Sequence, residues 1–134
     1  MINAIMTLGL LALGGGVGSI LRAVLSGQVA RFAHPSVGIF VVNLSGSFLI
    51  GCAWSMFVMT SDLQGRGIDD LYFQLFAVGM LGGYTTVSSF ALQSLELWQT
   101  GRRKAAILNS FGSVILCPIA AYIGAAMLLS GGAS

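Results

Sequence analysis

The sequence predicts an all-α integral membrane protein with four transmembrane helices, the third broken near its middle. Three observations carry that prediction. Of 134 residues, 56% are hydrophobic and only 7% are charged, with a mean hydropathy of +0.91, whereas a soluble domain carries about 25% charged residues. Four apolar stretches, about 5–25, 37–59, 71–97 and 105–129, each reach the roughly 20 residues that the hydrocarbon of a bilayer demands. Inside the third, the segment GMLGGYTTVSSF (Gly79–Phe90) clusters glycines with stiff β-branched residues, which are poor helix material. The four stretches and short connections use almost the whole chain as one domain, so no soluble catalytic domain fits and no enzyme is expected.

The first span carries Gly14, Gly15, Gly16 and Gly18, and Gly14 with Gly18 forms a small-xxx-small pair that lets a neighbouring helix approach closely. Its first charge, Arg22, lies at the far end of the apolar run, so a cleaved signal peptide is not expected. Arg22 is either an interfacial anchor that snorkels to the headgroups or a positive group at the mouth of an anion path. The next loop holds Arg31, His34 and Pro35, and no role is assigned to His34. In the second span Asn43 is the one strongly polar side chain of the first half, sharing a helical face with Ser47. An amide in hydrocarbon must find partners, either across helices as structural glue or as a donor in a wet cavity. The loop of about 60–70, with Asp62, Arg66, Asp69 and Asp70, reads as a solvated connection whose acids suit the N-terminus of the third span.

In the third span Gly82, Gly83, Thr85, Thr86 and Val87 argue against a continuous helix. A break in lipid frees N–H and C=O groups, which is tolerated only where they are buried in protein, line a cavity or bind an ion. The alternative is that the glycines only permit close packing while the hydroxyls bond back to the preceding turn. Beyond the break Thr86, Ser89 or Phe90, and Gln93 form one helical stripe, and Glu96 and Trp98 mark the interface. A connection of Gly101, Arg102, Arg103 and Lys104 leads into the fourth span. There Asn109, Ser113 and Cys117 make a second polar stripe, and Pro118 is a candidate bend. Cys52 and Cys117 both sit in apolar spans, where the expected role is that of a small hydrophobe.

Three spans therefore offer neutral hydrogen-bonding groups and none offers a carboxylate at mid-depth. This favours passage of an anion or a neutral polar solute over proton-coupled export of cations. The net charge of +2 is too small and scattered for nucleic acid. Arg31, Arg102, Arg103 and Lys104 in the first and third connections, against Arg66 in the second, place both termini outside by a weak positive-inside bias. A bias so weak is compatible with insertion in both directions.

Four motifs together resemble the Fluc (CrcB) fluoride channel family over essentially the whole chain: GGGVGSILR ending at Arg22, VVNLSGSFLIG with Asn43, GMLGGYTTVSSF, and NSFGS from Asn109 to Ser113. The third is the most specific, since the family pattern there is close to GGxTTFSTF. The resemblance implies a dual-topology dimer of two antiparallel four-helix subunits in a bacterial inner membrane, with the broken third helices crossing at the centre. It implies a structural, untransported sodium ion held there by the backbone carbonyls of Gly82 and Thr85. It also implies passive export of fluoride along a path formed by Asn43, Thr86, Val87, Ser89, Phe90, Gln93, Asn109 and Ser113, with Arg22 at the vestibule. The sequence departs from the family pattern at four places: Val87 stands for the first pore phenylalanine, Ile39 for a threonine, Gln93 for a common glutamate, and, as a mild change, Ser89 for the threonine of STF. Loss of the first ring leaves the two-ring arrangement incomplete and allows a homologous second subunit as partner. Two other expectations compete with the channel. One is a small multidrug-type proton-coupled exporter, which resembles proteins with a carboxylate in the first span that this chain lacks. The other is a non-conducting or half-active subunit of a heterodimeric fluoride channel.

Overall fold

The computed structural model describes residues 2–64 and 72–131. Arg66, Asp69, Asp70 and the expected start of the third span at residue 71 lie outside them. The architecture is all-helical: α1 Ile2–Ala30, α2 Pro35–Gln64, a π-helical segment Gln74–Leu81, a short turn α3 Gly82–Tyr84, α4 Val87–Gln99 and α5 Arg103–Gly131. Among the described residues, four spans are long and apolar enough to cross a bilayer, Ala4–Ala30, Pro35–Val58, Gln74–Gln99 and Arg103–Ser130. The first, second and fourth helices run past the predicted spans at both ends, and the third past its predicted C-terminal end, because regular hydrogen bonding continues beyond the hydrocarbon limit that composition marks. Asp62, read as loop, falls within α2.

The start of α2 is set locally. Pro35 occupies its first position, where the missing N–H costs nothing. His34 precedes it, and its Nδ1 accepts the Ser36 N–H at 3.3 Å while pairing with the Ser36 hydroxyl at 3.0 Å. His34, assigned no role from sequence, is therefore a helix cap. The end of α4 is equally defined. The N–H of Arg102 donates to the Leu97 carbonyl at 2.9 Å and that of Gly101 to Trp98 at 3.2 Å, a Schellman closure in which Gly101 takes φ +78°. α5 runs through Pro118, which leaves the Val114 carbonyl without its usual donor four residues on.

Packing rests on glycines rather than on large side chains. α2 lies along α5, where Gly51 meets the Ala121 carbonyl, Gly124 meets the Phe48 carbonyl, and the fully buried Ser55 hydroxyl donates to the Ala125 carbonyl at 2.8 Å. α1 lies along the π-helical segment through Gly14, 2.6 Å by its Cβ position from the Leu75 carbonyl, and through Gly18 on the Met80 carbonyl. Gly83 closes the same seam against Gly15. The expected small-xxx-small pair of α1 thus does seat a neighbour. Large apolar side chains such as Ile5, Leu8, Leu13 and Ile20 remain more than half exposed on α1, which suits lipid as the surrounding solvent.

The third span follows one bent path from Gln74 to Gln99. Between α3 and α4, Thr85 (φ −81°, ψ 150°) and Thr86 (φ −151°, ψ 126°) are extended. The π-helical winding before them went unread in the sequence, since nothing in QLFAVGML separates it from ordinary helix.

A polar groove at the bend of the third span

The backbone at the bend is met by one side chain. A continuing helix would direct the Thr86 N–H to the Gly82 carbonyl. It donates instead to Asn43 Oδ1 at 2.9 Å, and Asn43 Nδ2 donates back to the Thr86 carbonyl at 3.0 Å. The amide of α2 so replaces, with two bonds, the ladder partners that the extended pair gives up. Thr85 completes the preceding turn, with both its N–H (2.9 Å) and its hydroxyl (3.0 Å) donated to the Leu81 carbonyl. Gly46 on α2 leaves room for this, because the Thr85 methyl and the Tyr84 ring occupy the space a side chain would take. The Tyr84 hydroxyl is in turn held by Ser45 at 3.0 Å.

Thr86 then starts α4. Its Oγ1 accepts the Ser89 N–H at 3.3 Å and lies 3.1 Å from the Ser88 hydroxyl, the N-cap pattern of a helix start. The partial positive end of α4 is therefore set beside the Asn43 amide, at the place where the span bends.

These elements border an open groove of about 660 Å³. α2 contributes Asn43, Ser47 and Ile50, the third span Gly82, Thr85, Thr86, Val87 and Phe90, and α5 Ser113, Val114 and Cys117. Among the described residues, no charged side chain lines it. Ser113 is buried with its hydroxyl unpartnered among the described residues, and Val87 is 79% exposed on the opposite wall. Of the site residues expected from sequence, Asn43, Gly82, Thr85, Thr86, Val87, Phe90 and Ser113 come together here. Ser89, Gln93, Asn109 and Arg22 do not line the groove. The Ser89 hydroxyl accepts from Thr86 at 3.4 Å, and Asn109 Nδ2 donates to Ser94 at 2.9 Å, tying α5 to α4. Gln93 keeps a buried Oε1 without a partner among the described residues. Ser94, Ser45 and Tyr84 were not singled out in the sequence, since their partners lie 15 and 39 residues away.

Four long apolar spans among the described residues, with neutral donors converging on one groove, define the class as a multi-pass membrane protein. The family model described as CrcB-like protein, Camphor Resistance (CrcB), matches residues 9–125. The chain belongs to this family. It is 40% identical over 117 residues to the fluoride-specific ion channel FluC 4 of Brucella abortus biovar 1 (strain 9-941), covering 86% of each chain. To the fluoride-specific ion channel FluC of Rhodospirillum rubrum it is 42% identical over 122 residues, 89% of this chain and 92% of the relative. To that of Magnetococcus marinus (strain MC-1) it is 39% identical over 115 residues, 84% and 89%. These relatives carry the name of ion channels, not of enzymes.

Proposed function

We propose that this chain forms a fluoride-selective channel through which a bacterial cell releases fluoride passively across its inner membrane. The observation that carries the reading is the groove itself. An amide, a hydroxyl and the capped start of α4 meet there, with no carboxylate among the described residues. Fluoride is small and strongly hydrated, and fixed N–H and O–H donors with the positive edge of Phe90 can stand in for its water. Because the uncharged acid enters cells and the anion is trapped at neutral pH, a downhill path suffices for export. The names of the relatives support the same ion.

The groove is open in the single chain, and we take its missing wall to be a second, antiparallel copy or a homologous subunit. In that pair the bend of the third span acts as a break whose Gly82 and Thr85 carbonyls hold a structural sodium ion. The chemistry of the donor set fits: the Gly82 carbonyl has lost its Thr86 N–H, and a carbonyl oxygen is a hard ligand for a hard cation. Two carbonyls from one chain fall short of a full shell, and a two-fold mate would double them.

Liposomes containing only this chain should release fluoride, followed with a fluoride electrode, without releasing chloride, and release should weaken when sodium is removed. No efflux from monodisperse protein would overturn the self-sufficient channel and favour an obligate partner. The 79% exposure of Val87 supports that second reading, since no ring among the described residues covers that part of the groove lining. Restoring it tests the point. Val87→Phe should raise efflux about fivefold, the equivalent of ~1 kcal/mol from one aromatic contact, and an unchanged rate would mean that valine suffices.

A further inference from the structure

We propose that the turn between α4 and α5 is a binding site for the phosphate of an anionic lipid. Arg102, Arg103 and Lys104 are consecutive and exposed, and with Gly101 and Ala105 they line a concavity of about 510 Å³. None is paired with a carboxylate among the described residues, and Glu96, the acid closest to them in sequence, leaves them free. Three uncompensated cations in one hollow call for an anion.

The hollow is rigid. The Schellman bonds from Arg102 to Leu97 and from Gly101 to Trp98 fix the backbone, Leu97 anchors it at 2% exposure, and the Ala106 N–H bonds the Arg102 carbonyl at 3.0 Å to begin α5. Arg103 is held as well, its guanidinium 5.4 Å from the centre of the Trp98 ring, a cation–π contact that leaves its N–H edge available. Depth selects the anion's source. The turn joins the end of one span, Gln99, to the start of the next, Arg103, which places it at the headgroups, where lipid phosphates are concentrated and a half-exposed tryptophan is at home. The proposal is independent of what the groove conducts.

The test uses native mass spectrometry on the full chain taken from vesicles of equimolar phosphatidylglycerol and phosphatidylcholine. The wild type should retain phosphatidylglycerol selectively, and Arg102→Gln/Arg103→Gln/Lys104→Gln should lose about tenfold or more of that retention. Trp98→Leu keeps every charge but frees Arg103, and should lose retention severalfold. Its full retention would reduce the site to diffuse attraction and overturn the proposal. Equal retention of both lipids, or an unaltered triple variant, would overturn it too. Displacement of the lipid by millimolar inorganic phosphate would assign the hollow to a free anion instead.

Discussion

Asn43→Asp is expected to abolish fluoride conduction while leaving a folded, membrane-inserted chain. The substitution keeps the oxygen that accepts the Thr86 N–H at 2.9 Å but puts a second oxygen where Nδ2 now donates to the Thr86 carbonyl at 3.0 Å. Two acceptors then face each other at the bend. A carboxylate about 5 Å from a fluoride ion also raises the ion's energy by about 3 kcal/mol at an effective dielectric of about 20, which slows passage by about 100-fold or more. Asn43→Ala separates the two effects. It brings no charge, so flux should fall less, but it strips two backbone groups of their partner at about 1–3 kcal/mol each and should lower the melting temperature more than the aspartate does. Fluoride-electrode efflux and thermal unfolding of the purified proteins read the two outcomes. Wild-type flux through Asn43→Asp would remove Asn43 from the ion path and leave it only as the support of the bend.

That residue also shows where sequence reasoning stops. A lone amide in an apolar span announces that it must have partners, and both glue and donor were open. The partner it found is backbone 43 residues away, which no helical spacing encodes. The same holds for Asn109 with Ser94 and for Ser45 with Tyr84. The spans themselves were legible because hydrocarbon thickness dictates long apolar runs, and Gly14 with Gly18 was legible because close approach requires the absence of a side chain. The stripes run past the groove. Thr86, Phe90, Ser113 and Cys117 share the groove, whereas Gln93 and Asn109, a turn away along their helices, lie beyond its lining. Periodicity gives a face of a helix, but only packing gives how far along that face a groove extends. His34 was within reach of local rules, since a proline at the first helical position makes the preceding residue the cap. The π-helical winding was not, because QLFAVGML carries no local mark that separates it from ordinary helix.

The packing of α1 on the third span sets up the second large effect, a pair of glycine substitutions identical in chemistry and opposite in outcome. Gly18→Ala would set a methyl group on the Met80 carbonyl, with the Tyr84 N–H side of the backbone 2.8 Å away. Neither neighbour is a side chain that can rotate aside, so α1 must move off the third span and the seam through Gly14, Gly79 and Gly83 opens with it. Overpacking of this kind costs about 1–3 kcal/mol even where a core can adjust, and two rigid backbones place it at the upper end. Gly16→Ala is the control. A Cβ there meets nothing within 4 Å, and exchanging glycine for alanine in a helix gains about 1 kcal/mol. Thermal unfolding in detergent should therefore fall for the first variant and hold or rise for the second. The functional consequence follows from position. Tyr84 directly precedes Thr85 and Thr86 and Met80 lies about one turn earlier, so a shift of α1 drags the bend away from Asn43 on α2, and Gly18→Ala protein that still inserts should conduct poorly. If it unfolds and conducts as the wild type does, the α1 seam neither holds the third span nor aims its bend.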